Sequence, residues 1–97
     1  LKIYKYMYRI RNYSLQRAKQ LGVKIKPSSR IGKKIDVYKS GKKIASIGAA
    51  GYLDYPNYLA KFGRKVADQK RAAYYKRHKR NLTVKGSPGY YAARILW

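Results

Sequence analysis

The residue types that carry most enzyme chemistry are scarce in this chain. Its 97 residues include three acids, Asp36, Asp54 and Asp68, one histidine, His78, and no cysteine. General acid and base catalysis needs paired titratable groups in a shared pocket, and the three aspartates lie in separate segments. Each also has a structural use. Asp54 precedes Tyr55-Pro56 as a helix cap, Asp36 is a strand residue facing lysine neighbours, and Asp68 is the i to i+3 partner of Arg71. His78 has no second histidine to share a metal with, so packing or facing a phosphate suits it better than ligation. The glycines at 48 and 51, and at 86 and 89, do not stand between a strand and a Lys-Ser or Lys-Thr helix start, which excludes a nucleotide-binding loop. Without cysteine there is no disulfide, thiolate or Cys-zinc chemistry. The residues point to a protein that is not an enzyme and uses no cofactor or metal.

What the chain can do is bind acid. Twenty-five Lys and Arg against three Asp give a formal charge of +22, and there is no Glu anywhere. Helices normally offset Lys with Glu one turn away; here the counter-charges must come from outside. The densest cations fall at Arg64 and Lys65, at Arg71, and at Arg77, His78 and Arg80, which are the candidate contacts for an acidic partner. A helix C-terminus favours cations by only about 0.3 to 1 kcal/mol each, too little to explain five basic residues in a row. Twelve tyrosines add rings that serve either a small core or an interface. Interleaved as in Tyr4-Lys5-Tyr6-Met7-Tyr8-Arg9, they suit stacking on unpaired bases at roughly 1 to 3 kcal/mol each. Arg and Tyr also dominate protein interfaces. Because phosphate and carboxylate attract the same cations, nucleic acid and protein assembly are even alternatives on these grounds.

The elements that must carry these residues fit one small core. Residues 1–11 follow neither helical nor strand periodicity and read as an extended basic, aromatic arm. A short helix follows over Asn12 to Leu21, capped by Asn12 or Ser14, with Leu15, Ala18 and Leu21 as its apolar stripe and Gly22 as its stop. Val23 to Lys26 alternates like a brief strand, ended by Pro27-Ser28-Ser29-Arg30. Lys34 to Lys39 and Lys42 to Ile47 read as a β-hairpin about Ser40-Gly41, with a two-residue or a three-residue loop. From Asp54 a helix carries the stripe Tyr55, Leu59, Phe62, Val66 and Ala73, with Gly63 kinking or splitting it, and continues through the basic run to Arg80. Gly86-Ser87-Pro88-Gly89 is a turn into a short helical end. There Tyr90, Tyr91, Leu96 and Trp97 form a hydrophobic anchor, docked on the core or on a neighbouring chain. The division drawn is 1–33, an arm with a short helix, and 34–97, a hairpin-plus-helix domain. The fold class is α+β, a small single domain. No run of about 18 apolar residues exists, so the chain is expected to be soluble or peripheral.

Motifs add to this reading. Asp36-Val37-Tyr38 with Gly41-Lys42-Lys43, Ile47-Gly48-Ala49 with Gly51-Tyr52, Asp54-Tyr55-Pro56 with Tyr58-Leu59, then Arg71, Tyr74, Arg77 and His78, and last Gly86-Ser87-Pro88-Gly89-Tyr90-Tyr91-Ala92 with Ile95-Leu96-Trp97 occur in this order. Together they resemble a family of short basic proteins of nucleocytoplasmic large DNA viruses, including the algal chloroviruses. The resemblance covers about two thirds of the chain and departs from the family pattern at Ala93-Arg94, where an acidic residue followed by a basic one is expected. It implies a virion protein, a minor capsid component with no catalytic residues. Its partners would be the major and other minor capsid proteins, with packaged nucleic acid and the anionic inner membrane as further acidic surfaces. Its location would be the capsid, on the inner face, after assembly in the host cytoplasm. The alternative is a nucleic-acid-condensing protein carried in the same particle.

Overall fold

A computed structural model describes residues 8–97; most of the expected arm, residues 1–7, lies outside it. The fold is α+β. Helix α1 (Asn12–Gln20) leads to a three-stranded antiparallel sheet of β1 (Lys24–Pro27), β2 (Lys33–Lys39) and β3 (Lys42–Ala49). Helices α2 (Tyr55–Phe62) and α3 (Arg64–Arg77), a 3₁₀ turn over Lys79–Leu82, and α4 (Pro88–Ile95) complete it.

The hairpin of β2 and β3 turns on two residues, Lys39 pairing with Lys42. Ser40 (φ 52°) and Gly41 (φ 79°) are both left-handed, the mirror-image turn whose twist suits the flanking strands. Val37 then pairs with Ala45 while Tyr38 pairs with Lys43, which leaves Ile44 as the extra residue of a bulge. β1 pairs with the other side of β2. Ile35 and Val37 of this central strand lie opposite Ile47 and Ala45, and all four are buried. Both outer strands are blunted against further pairing: β1 is short and carries two exposed lysines and Pro27, and β3 carries the bulge. α1 and β1, on the N-terminal side of the division drawn at residues 33 and 34, share the sheet and the core with the rest, through Ala18 and Val23.

Two local expectations are corrected. α1 is preceded by Arg11, which makes no side-chain cap, so neither Asn12 nor Ser14 caps it. Ser14 is instead fully buried with Ala18, while Leu15, expected on the apolar stripe, is 47% exposed. The reason is a demand for donors at the end of α4, described below. Second, the single stripe from Tyr55 to Ala73 is broken. Gly63 (φ 85°, ψ 174°) ends α2 and begins α3, and the break resets the helical phase. Tyr55 stays buried, but Leu59 and Phe62 turn outward at 38% and 57% exposure. In α3 the inward positions are Ala67, Arg71 and Tyr74, and His78, just past its end, continues the spacing of four, three and four residues.

The C-terminal segment closes the core. Ser87 caps α4, accepting from the Tyr90 N–H at 3.1 Å, with Pro88 in the first turn. The last carbonyls of a helix have no partner within it; here those of Arg94 and Ile95, and the two that follow α4, are met by other elements. Arg17 Nε donates to the Arg94 carbonyl, Ser14 Oγ to Ile95 at 2.8 Å, the Tyr55 N–H to Leu96 at 2.9 Å, and Tyr13 Oη to Trp97 at 3.0 Å. Trp97 stacks on Tyr74, centroids 4.4 Å apart and planes within 9°. Gly48 (φ 80°) lets this packing happen, because a Cβ there would lie 2.8 Å from Leu96 Cδ1 and 2.9 Å from Lys34 Cδ.

Ser14→Ala leaves the buried Ile95 carbonyl without its donor and should cost about 1 to 3 kcal/mol. Trp97→Ala, which empties a core site, should cost about 3 to 5 kcal/mol. Leu15→Ala, at an exposed position, should change stability by less than about 0.5 kcal/mol. Urea unfolding of the three variants checks the ranking.

Candidate interaction surface

The acids are used inside the fold. Asp54, fully buried, caps α2 by accepting from the Asn57 N–H at 3.2 Å. It also accepts from Asn57 Nδ2 (2.8 Å), Tyr8 Oη (2.6 Å) and Lys34 Nζ (3.0 Å). This ties the N-terminal segment, β2 and α2 together around one ion pair. Burial, with Asp54 alongside, pushes the Tyr8 hydroxyl far above its ordinary value, so it remains a donor. Asp68 accepts from Tyr55 Oη at 2.8 Å, which raises the Tyr55 hydroxyl in the same way. It also pairs with Arg64 at 3.7 Å and Arg71 at 3.5 Å. Asp36, on β2, accepts from Ser28 Oγ at 2.6 Å and Ser46 Oγ at 2.7 Å and faces Lys43 at 3.7 Å. Burial by itself would raise its carboxyl, but these hydrogen bonds and the lysine charge together hold it below its ordinary value.

With the acids so placed, Lys34, Lys43, Arg64 and Arg71 are the cations that have a carboxylate partner among the described residues. Of the rest, the exposed ones include Lys19 on α1, Lys24 and Lys26 on β1, Lys39 on β2, Lys42 on β3, Lys61 on α2, Lys65, Lys70, Lys76 and Arg77 on α3, then Lys79, Arg80 and Lys85, whereas Arg11, Arg17, Lys33 and Arg94 are half-buried. The positive surface wraps the molecule and is not confined to one face.

The residues proposed from sequence divide into two groups. Lys65, Arg77 and Arg80 are exposed and open to a partner, and Arg64, also exposed, pairs with Asp68 at 3.7 Å. Arg71 is turned inward, with its guanidinium 4.1 Å from the Tyr55 ring centroid. His78 is half-buried and stacks on Tyr74 at 4.3 Å. Of the hydrophobic anchor, Tyr91, Leu96 and Trp97 are buried in the chain's own core, the first of the two placements open to them. Tyr90 is half-buried beneath the Arg94 guanidinium, 3.7 Å from its ring centroid.

Sequence reasoning missed the exposed apolar tips that the turns present. Ile31 is 99% exposed in the β1–β2 loop and Tyr52 is 74% exposed in the β3–α2 loop. The two loops are joined by the Ala50 N–H donating to the Gly32 carbonyl at 2.9 Å. A lone β-branched residue between Arg30 and Gly32 was the available signal. Also missed was a cleft of about 350 Å³ whose lining includes Lys33, Tyr52, Tyr74, Arg77, His78 and Trp97. Its residues come from β2, the loop before α2, α3 and the C-terminus, so no spacing in the sequence joins them.

Because Asp36 has a lowered pKa when folded, its contribution to stability is present above the unfolded value of about 4 and is lost as pH falls through the folded value. Urea midpoints measured between about pH 5 and about pH 2.5 should therefore fall for the native chain and fall less for Asp36→Asn. No family model, curated protein or solved structure matches this chain.

Proposed function

We propose that this chain is a structural component of a large DNA virus particle, a minor capsid protein that cements neighbouring capsid subunits. The observation that carries the reading is the placement of charge. All three carboxylates are consumed by internal partners, while exposed cations stand on the three strands and on α1, α2 and α3. Such a molecule is suited to contact several acidic neighbours at once. Ile31, Tyr52 and Phe62 emerge among these cations. Apolar and aromatic tips within a charged surface suit the centres of protein interfaces and give a sequence-blind binder of phosphates little advantage. They take over the role of interface anchor from the C-terminus, which is engaged in the chain's own core. The order of motifs from Asp36 to Trp97 agrees with a virion protein. A place on the inner face of the capsid would also put the chain near anionic lipid heads.

A second reading has its own support. Lys76, Arg77, Lys79, Arg80 and Lys85 gather beyond the middle of α3, a density that suits a phosphate backbone and a nucleic-acid-condensing role.

Crosslinking mass spectrometry on intact, nuclease-treated particles separates the two. The capsid role predicts that lysines such as Lys61, Lys65 and Lys79 link mainly to capsid protein and that nuclease changes nothing. Recovery on nucleic acid, with release by nuclease or moderate salt, would replace that role with condensation.

A further inference from the structure

The cleft between the sheet and α3 combines cations with an aromatic wall. Two of its cations, Lys33 and Arg77, have no carboxylate partner among the described residues. Lys34, which also lines it, is already held by Asp54. Behind them lie Tyr74 and Trp97, at 9% and 8% exposure, and at the mouth stands the exposed Tyr52. The volume, about 350 Å³, is at the lower end of what binding pockets enclose, roughly 300 to 1,000 Å³. It suits one or two side chains.

We infer that this cleft receives a carboxylate-bearing side chain, flanked by an apolar one, from a protein partner. Arg77 supplies the planar fork that matches a carboxylate, Lys33 a second positive charge, and the aromatic wall a surface for the apolar neighbour. The stacking geometry favours a peptide over a nucleic-acid strand. Tyr74 lies between His78 at 4.3 Å and Trp97 at 4.4 Å, so both of its faces are covered. Binding of a single strand depends on a row of open ring faces, and only Tyr52 offers one freely here. The inference rests on the reading that the acidic partner is a protein.

The test is a titration of the isotope-labelled chain followed by NMR, with two probes: an acetylated, amidated pentapeptide Gly-Phe-Glu-Phe-Gly and an eight-nucleotide oligothymidylate. The peptide should move signals of the cleft, including the Trp97 indole N–H. Arg77→Ala should weaken peptide binding by about fivefold or more, and Lys39→Ala, at the far end of β2, by less than about twofold. Arg77 is exposed, so the variant should keep the native spectrum. Equal losses in the two variants, peptide shifts spread over the whole cationic surface, or tighter occupation of the cleft by the oligonucleotide would each overturn the inference. Failure here is separable from failure of the capsid role. Crosslinks to capsid protein that avoid Lys33 would remove the cleft alone, whereas crosslinks to nucleic acid would remove the reading beneath it.

Discussion

The docking of the last turn of α4 is the constraint on which the other packing depends. Four successive carbonyls, those of Arg94 and Ile95 at the end of α4 and of Leu96 and Trp97 just beyond it, have no partner within the helix, and each is met by a donor from α1 or the start of α2. Leaving one such group unpaired costs about 1 to 3 kcal/mol, so the requirement decides which residues α1 turns inward. It explains why Ser14 is buried and Leu15 is not. It also draws α1 and the C-terminal segment together: Tyr13 contacts Trp97, and Trp97 in turn stacks on Tyr74 of α3. A protein this small has a modest core, and hydrogen bonds that order its last turn supplement the buried apolar area.

The acids form a second level of the same organisation. A chain with three carboxylates and 25 cations would lose stability if the carboxylates were scattered on the surface, where ion pairs contribute little. Here Asp54 and Asp36 are buried and hold separate segments together, and Asp68 joins α2 to α3 through Tyr55. The folded state therefore has attraction at its joints and repulsion across its surface. Acidic partners around the molecule would relieve that repulsion, which is how the internal arrangement supports the proposed place within an assembly.

Much of the fold was legible because its signals are local. Ser40-Gly41 permits the left-handed turn of the hairpin, Asp54-Tyr55-Pro56 starts α2, and Ser87-Pro88 starts α4. Gly63 reads as a break from sequence, but the change of helical phase depends on the backbone angles at that glycine, so Phe62 and Ala73 lie outside the buried side that a continuous stripe predicts. Ser14 and Lys34 could not be recognised as buried, because their partners, Ile95 and Asp54, lie 81 and 20 residues away. The candidate contacts were legible as cations. Which of them remain free was not, since that depends on where three aspartates fold: Arg71 is claimed by Asp68 and the Tyr55 ring, while Arg77 remains open.

The central claim is that the counter-charge for this fold comes from outside the chain. Thermal unfolding of the purified protein over a series from about 50 mM to about 500 mM sodium chloride tests it most directly, because screening acts on the repulsion between exposed charges and hardly on buried pairs. The account predicts an unfolding midpoint that rises steadily with salt. A midpoint that stays constant or falls would mean that the positive surface is already balanced within the chain, and would contradict it.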